Sequence, residues 1–205
     1  MQIIREVEQG SADWLALRLG IPTASEFDCL LVNGKGEAGF GAAAFTYMDQ
    51  LIGERITGEA ADPFQGNRHT ERGHELEQVA RDLHMATYDL PTELVGIILN
   101  NGAGYSPDAL VGNDGLIEVK SKLPKFQVGV ILANEVTKDH VAQCQGGLWL
   151  AEREWIDFVS YWPGMPLFVK RAYRDEELIK KLAERVKTFN ELLEDRMHRV
   201  LGIAA

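Results

Sequence analysis

Two short motifs in the middle of the chain carry residue types that could perform hydrolytic chemistry. Ser106-Pro107-Asp108 is followed, after nine further residues, by Glu118-Val119-Lys120. Side chains on a β-strand alternate between its faces, so Glu118 and Lys120 would project from the same face, about 7 Å apart along the strand. The residues Gly112-Asn113-Asp114-Gly115 predict a turn that returns this strand beside Asp108. The sequence therefore predicts two carboxylates and one ammonium group close together at one end of a sheet.

Two carboxylates in one place repel each other unless a cation lies between them. Mg²⁺ prefers carboxylate, carbonyl and water ligands, and a metal ion held in this way can activate a bound water and stabilise charge on a phosphate. Lys120 would orient or deprotonate that water, or support the transition state as a cation, which is the chemistry of phosphodiester hydrolysis. The alternative is structural, because Glu-x-Lys is common on solvated strands and Pro-Asp is common in turns. On this motif alone the structural interpretation is favoured.

A second cluster lies near the N-terminus, where Leu17-Arg18-Leu19-Gly20 is followed by Thr23-Ala24-Ser25-Glu26. Gly20 is typical of a helix end, and the T-x-x-E pattern predicts a capping box that opens the next helix. A helix N-terminus presents free N–H groups and partial positive charge, which suit an anion. Ser25 would add a hydroxyl, and Arg18 a planar guanidinium suited to phosphate. The alternative is a helix end and a capping box that bind no ligand.

Two further segments are open to both functional and structural interpretation. Glu77 could reach a metal ion or its waters, or it could form a surface ion pair with Arg81, four residues later. His140, Gln143 and Gly147 share one face of a predicted helix. Glycines inside a helix lower its stability by roughly 1 kcal/mol each. They therefore indicate either close approach of a ligand or backbone, or tight packing of the helix on the sheet.

The periodicity of apolar residues predicts the elements that position these residues. Helices are predicted over Ala12–Leu19, Thr23–Val32, about 45–57, from about Thr70 (buried stripe Leu76, Val79, Ala80 and Leu83), Thr137–Ala151, and about 178–200. Strands are predicted over Leu94–Leu99, Ala103–Ser106, Gly115–Lys120, Ile156–Trp162 and Leu167–Tyr173, the second and third forming the hairpin. This order predicts an α/β fold with a central mixed sheet flanked by helices, in one domain spanning residues 1–205.

Composition limits the function classes only weakly. The net charge of −10 counts against nucleic-acid binding in general, because phosphate contacts need Lys and Arg. It does not exclude a DNA enzyme, since a basic channel can coexist with an acidic outer surface. No apolar run approaches the ~20 residues that span a bilayer, and the N-terminus lacks a signal-peptide core, so we expect a soluble, cytoplasmic protein. Cys29 and Cys144 are expected to be reduced thiols, and because neither sits in a C-x-x-C pair, a zinc or iron–sulfur site is not expected.

Taken together and in this order, the motifs resemble the lambda-exonuclease family of viral recombination nucleases, also called YqaJ-like, within the PD-(D/E)XK nuclease fold. The matching residues are Trp14, Leu17-Arg18-Leu19-Gly20, Thr23-Ala24-Ser25-Glu26, Gly73-x-x-x-Glu77, Ser106-Pro107-Asp108, Glu118-x-Lys120 and Ala142-Gln143-x-Gln145-x-x-x-Trp149. The PD…ExK pair alone is short, but the joint order covers most of the chain and is specific.

The resemblance implies a role for each matching residue. Asp108, Glu118 and the backbone carbonyl of Val119 would bind the metal ion, and Glu77 would support it directly or through water. Lys120 would handle the nucleophilic water. These residues would form the catalytic centre. The 5′-phosphate of the strand being degraded would be held by a set of polar side chains: Arg18, Thr23, Ser25, Ser106 and Gln143.

The resemblance also implies an activity and partners. The family uses Mg²⁺, with Mn²⁺ as an alternative ion, digests one strand of linear double-stranded DNA 5′ to 3′, and forms a ring-shaped homotrimer around DNA. It acts in recombination with a single-strand annealing protein. Two alternatives remain: an endonuclease of the same fold, and a non-catalytic DNA-end-binding subunit. Residues Asp62–Arg72 and Leu123–Asn134 have no match, so an apolar wedge that splits the duplex end is not placed, although Phe64 is a candidate.

Overall fold

The computed structural model describes residues 1–60 and 68–203. Its α-helices are α1 (Ala12–Arg18), α2 (Phe27–Leu31), α3 (Ala42–Thr57), α4 (Arg68–Tyr88), α5 (Pro124–Ala133), α6 (Lys138–Ala151) and α7 (Glu176–Ile203). Its strands are β1 (Gln2–Ile4), β2 (Thr92–Glu93), β3 (Ile97–Asn100), β4 (Ala103–Tyr105), β5 (Ala109–Val111), β6 (Gly115–Ser121), β7 (Trp155–Tyr161) and β8 (Phe168–Tyr173). Within the described residues, no helix is long and apolar enough to cross a membrane.

The strands form two sheets. The larger has five strands in the order β2-β5-β6-β7-β8, and the smaller has three in the order β1-β3-β4. In the larger sheet, β6 and β7 are parallel, and every other neighbouring pair is antiparallel. Helices cover this mixed sheet, so the predicted α/β fold class is confirmed.

The predicted hairpin exists, but its first strand is β5 and not β4. Strand β6 pairs with β5 in antiparallel register, whereas β4 pairs with β3 in the smaller sheet. Pro107 lies between β4 and β5 and has no backbone N–H to donate, so a continuous central strand cannot run through it. Asp108 therefore lies at the corner where the chain passes from the smaller sheet to the larger one.

Strand β6 is covered on both faces by apolar residues. Leu116 belongs to the larger core, which is built mainly from α2, α3, α6 and α7. Ile117 and Val119 point the other way, into a smaller cluster that includes Ala80 of α4. This alternation follows from the two-residue period of a strand. It leaves Glu118 on the face of the larger core, where only 2 % of its surface is exposed.

The helices agree with the periodicity in most places and differ in three. Ser11 accepts a hydrogen bond from the Trp14 amide (3.2 Å) and caps α1, which begins at Ala12 as predicted. The capping box is wrong: Thr23 begins a three-residue 3-10 helix, Ala24–Glu26, and its side chain makes no capping hydrogen bond. In α4, the predicted stripe is confirmed at Ala80, which is fully buried, and is wrong at Val79 and Leu83, which are 42 % and 40 % exposed. Helix α5 was not predicted at all.

Candidate active site

Asp108 is held against β6 by the backbone. Its amide donates to the Ile117 carbonyl (3.1 Å), and its carboxylate accepts from the Val119 amide (2.5 Å). The first contact extends the backbone pairing with β6 to the residue before β5, and the second joins the Asp108 side chain to β6. They place the Asp108 carboxylate beside Val119, the residue that follows Glu118 on β6. The observed Val119 contact uses the amide group, whereas the resemblance assigns its carbonyl to a metal ion.

Glu118 is fixed by three donors from three different elements. Tyr105 Oη donates to Oε2 (2.9 Å), and Gln143 Nε2 donates to Oε1 (2.5 Å). Lys120 Nζ lies 2.8 Å from the same Oε1 atom. A buried carboxylate with this many partners has its orientation set by the surrounding protein. The predicted same-face placement of Glu118 and Lys120 is therefore what the structure shows.

The charges in this cluster perturb one another. Loss of solvation, with repulsion from Glu118 and then Glu77, raises the pKa of Asp108 well above its usual range. Burial works to lower the pKa of Lys120, but attraction to Glu118 and Asp108 outweighs it and raises that pKa above its usual value. Lys120 is thus an ammonium group in the absence of metal. A bound cation would offset the negative charge of Glu118 and Glu77 around Asp108 and so favour its ionised form.

Glu77 borders the same cleft as Asp108. The cleft has a volume of about 870 Å³ and lies between α4 and the N-terminal segment before α1. Glu77 also forms an ion pair with Arg81, one helical turn later, so the structural alternative for this residue is observed. Repulsion from Glu77 is also one of the causes that raise the pKa of Asp108, after loss of solvation and Glu118.

The donor set fits a magnesium ion with few protein ligands. Among residues 1–60 and 68–203, no three His, Cys, Asp or Glu side chains lie close enough to form a metal-binding group by themselves. Mg²⁺ does not require one, because it keeps several waters and is usually held by one or two carboxylates with substrate phosphates. Asp108 and Glu118 supply two hard oxygen ligands of this kind. Because Arg81 engages Glu77, we expect Glu77 to act through water.

The predicted phosphate-binding residues near the N-terminus do come together. Arg18 stacks on the Trp14 ring at 4.3 Å from its centroid, and its Nη2 donates to Thr23 Oγ1 (3.3 Å). Thr23 Oγ1 in turn lies 3.1 Å from Ser25 Oγ. They line a pocket of about 320 Å³. The helix N-terminus that was expected to attract an anion here is short, since only a three-residue 3-10 helix follows Thr23.

Trp14 connects this pocket to the carboxylate cluster. Its indole Nε1 donates to Ser106 Oγ (2.9 Å), two residues before Asp108. The predicted phosphate residue Gln143 lies elsewhere, hydrogen-bonded to Glu118. The Trp14 indole therefore links Ser106 to Arg18 and, through Arg18, to Thr23 and Ser25. Gln143 lies instead with the candidate metal ligands. Trp14 was part of the motif, but the sequence suggested no role for it.

The glycines of α6 are explained by tight packing. A Cβ at Gly147 would lie 2.6 Å from the Tyr105 ring, and a Cβ at Gly146 would lie 2.4 Å from the Phe27 ring. The first contact lets Tyr105 lie under α6 with its hydroxyl at Glu118. Sequence reasoning missed Tyr105, although an aromatic residue directly before Ser106-Pro107-Asp108 was a usable signal.

Replacing Tyr105 by Phe removes one hydrogen bond to Glu118 and leaves the ring that α6 packs on. Partners of this kind typically change metal affinity or activity about 10–100-fold. We expect Tyr105→Phe to raise the Mg²⁺ concentration needed for half-maximal cleavage by about tenfold. The measurement is a magnesium titration of cleavage, with Tyr173→Phe, an exposed tyrosine, as the control. An unchanged magnesium requirement would show that Tyr105 only packs.

A family model matches most of the sequence. Residues 13–154 match the model of the YqaJ-like viral recombinase domain. This chain belongs to the YqaJ-like viral recombinase family. The resemblance inferred from the ordered motifs is therefore confirmed over most of the chain. No curated protein matches the sequence.

Solved structures agree with the family. This YqaJ-like chain is similar to an alkaline exonuclease, LHK-Exo, from Laribacter hongkongensis, with 31% identity, a TM-score of 0.85, and coverage of 95% of this chain and 98% of that chain. LHK-Exo in complex with dAMP gives the same values. A phage-related exonuclease from Haemophilus somnus 129PT has 20% identity, a TM-score of 0.67, and coverage of 88% of this chain and 96% of that chain. The predicted PD-(D/E)XK fold is confirmed.

Proposed function

We propose that this chain is a metal-dependent deoxyribonuclease that digests linear double-stranded DNA from its 5′ ends. The observation that carries the proposal is the cluster of Asp108, Glu118 and Lys120, joined through Ser106 and Trp14 to the pocket at Arg18. An enzyme that acts at a DNA end needs both a hydrolytic centre and a nearby site for the terminal phosphate. The similar protein LHK-Exo is an exonuclease and has been solved with a deoxynucleotide, dAMP, which supports DNA as the substrate.

The hydrolytic centre would work through residues with distinct tasks. Asp108 and Glu118, with the Val119 carbonyl, would hold Mg²⁺, or Mn²⁺ in its place. When bound, such an ion activates a water and neutralises charge on the scissile phosphate. Lys120 would donate from its ammonium group to the attacking water or to a phosphoryl oxygen as negative charge develops. Glu77 would orient waters at the edge of the cleft.

The end-binding pocket would hold the 5′-phosphate through charge-assisted hydrogen bonds. Arg18 offers a planar fork that matches two phosphate oxygens, and its stacking on Trp14 limits its rotation. Thr23 and Ser25 would add hydroxyl donors. Ser106, two residues before Asp108, would add another donor on the side of the carboxylate cluster. Gln143, beside Glu118, would reach a phosphate at the hydrolytic centre. The wedge candidate Phe64 lies outside the described residues.

Three other properties in the proposal rest on the family resemblance alone. They are the 5′ to 3′ direction, a ring-shaped homotrimer and a single-strand annealing partner in recombination. A cytoplasmic location is proposed from the composition of the sequence. The acidic net charge of −10 is compatible with DNA binding only if basic residues line the DNA path.

The test compares three DNA substrates in the presence of Mg²⁺ and of a chelator. We expect wild-type protein to digest linear duplexes with 5′-phosphate ends fastest, 5′-hydroxyl ends more slowly, and closed circles not at all. Arg18→Ala should remove most of the preference for phosphate. A charge-assisted hydrogen bond contributes roughly 1.5–3 kcal/mol, so the loss should be tenfold or more, on the order of a hundredfold at the upper end.

Arg199→Ala is the matched control, because Arg199 is exposed on α7 and pairs only weakly with Asp195 (3.8 Å). It should keep the preference for phosphate ends. Cleavage of closed circles would indicate the endonuclease alternative, and magnesium-dependent binding without cleavage would indicate a non-catalytic end-binding subunit. If wild-type protein ignores the end group, the Arg18 pocket is structural, and only the metal-dependent nuclease remains.

A further inference from the structure

Over the part of α4 whose side chains the structure describes, few side chains are buried against the sheet. Among its described side chains, only Ala80 and His84 are fully buried, each with 0 % exposure. Ala80 contributes one methyl group to the small apolar cluster on β5, β6 and β7. A contact of this size excludes water, but it is flat and does not determine how far the helix slides or rotates. A contact with directional geometry would fix the register of these described turns of α4 on the sheet.

His84 makes that directional contact with a buried aspartate. Its Nε2 lies 2.9 Å from Oδ2 of Asp157, a β7 residue that is 1 % exposed. Arg171 of β8 binds the same carboxylate with two hydrogen bonds of 2.8 Å each. Its guanidinium also stacks on Trp155, 3.6 Å from the ring centroid. Asp157 is therefore a rigid acceptor, and its position in the sheet is set independently of α4.

The spacing along α4 relates this contact to the candidate metal site. Glu77, Ala80 and His84 are at positions i, i+3 and i+7, so they share one helix face. Two helical turns between Glu77 and His84 cover roughly 10 Å, and two inter-strand steps from β7 to β5 cover about the same distance. Asp157 pairs with Ile117, and Ile117 pairs with Ala109, the residue after Asp108. These pairings form a line of residues from β7 to β5. When His84 contacts Asp157 at one end of this line, Glu77 lies over the other end, next to Asp108.

We propose that His84 and Asp157 are positioning residues that hold α4 in the register at which Glu77 faces the Asp108 carboxylate. The ion pair between Glu77 and Arg81 is internal to α4 and cannot perform this task. The inference rests on the proposed function, since it assigns Glu77 to the metal site. It assigns a supporting role to His84 and Asp157, which are 73 positions apart in the sequence and are not proposed to bind the metal ion.

The test measures metal binding directly, by calorimetric titration of Mn²⁺ into folded protein without DNA. We expect Glu77→Ala and His84→Ala each to weaken Mn²⁺ binding by about tenfold, in the range for residues that support metal ligands. The double variant should be no weaker than either single variant, because both changes remove the same contribution. His84→Gln, whose amide can still donate to Asp157, should recover most of the affinity.

Leu193→Ala is the control for lost stability. Leu193 is a fully buried residue of α7 in the larger core, so this variant should unfold at lower temperature but bind Mn²⁺ normally. If His84→Ala does not fold, Asp157→Asn and His84→Gln provide the same comparison. Wild-type Mn²⁺ affinity in His84→Ala and Asp157→Asn, with a loss in Glu77→Ala, would overturn the positioning role alone. Absence of Mn²⁺ binding by wild-type protein would overturn the proposed function as well.

Discussion

Replacing Lys120 by Ala is expected to slow the chemical step about 10²–10⁴-fold, the usual contribution of a positioned proton donor or acceptor, while DNA affinity changes little. The ammonium lies 2.8 Å from a candidate metal ligand, Glu118, and the carboxylates of Glu118 and Asp108 raise its pKa, so it is a cation in the metal-free protein. Such a cation matters most when negative charge develops on the phosphoryl group. Single-turnover cleavage and equilibrium binding of the same duplex measure the two effects separately.

Lys122→Ala is the matched control for Lys120. Lys122 follows two residues later and pairs with Asp139 (3.1 Å) rather than with the carboxylate cluster. Its removal should change the cleavage rate only slightly. If Lys120→Ala instead weakens binding and leaves the single-turnover rate unchanged, Lys120 steers phosphate and takes no part in the chemical step.

The second large effect is expected for Asp108→Asn, which should reduce cleavage on the order of 10³-fold or more, at least as much as removal of one transition-state donor. The same change should preserve or increase stability in the absence of metal. The pKa of Asp108 is raised in the folded protein by loss of solvation and by Glu118 and Glu77. Its ionisation therefore opposes folding, and the amide removes that charge.

The pH dependence has a definite sign. Below about pH 4 the carboxyl is protonated in both folded and unfolded chains, and Asp108→Asn should then have little effect on stability. As pH rises, the unfolded chain loses the proton first, so the stability of the wild type falls relative to the variant. Thermal unfolding in a chelator from pH 4 to 8 measures this difference. Asp114→Asn, an exposed change in the turn before β6, should show neither effect. Wild-type cleavage by Asp108→Asn would contradict the metal assignment.

Local patterns in the sequence predicted the elements whose signals are local. Helices α1, α6 and α7 and strands β6, β7 and β8 have clear apolar periodicity, and their bounds were close to those observed. Strand β5 was missed because three residues carry no usable period, and it is a strand only through its pairing with β6. Helix α5 was missed because it is apolar on nearly all sides. The expectation of one domain over residues 1–205 stays a prediction.

In the candidate site, too, the sequence predicted contacts between nearby residues and missed contacts between distant ones. Asp108, Glu118 and Lys120 are close in sequence, so strand geometry and one turn were enough to bring them together. The contacts that support them are between distant residues: Trp14 with Ser106 is separated by 92 positions, and His84 with Asp157 by 73. Nothing local indicates such pairs. The capping box failed for another reason, since the Thr23 hydroxyl contacts Arg18 and Ser25 instead of a backbone amide.

The contact between Gly147 and the Tyr105 ring also constrains how this site can change during evolution. A single methyl group at position 147 would lie 2.6 Å from the ring, so the helix would have to move or the ring would have to leave. Leaving would take the hydroxyl away from Glu118. The two positions are therefore expected to covary: a larger residue at 147 is tolerated only after the aromatic residue at 105 has been replaced, and that replacement must first be compensated at the carboxylate. As long as selection maintains the site, most substitutions at either position alone are expected to be eliminated.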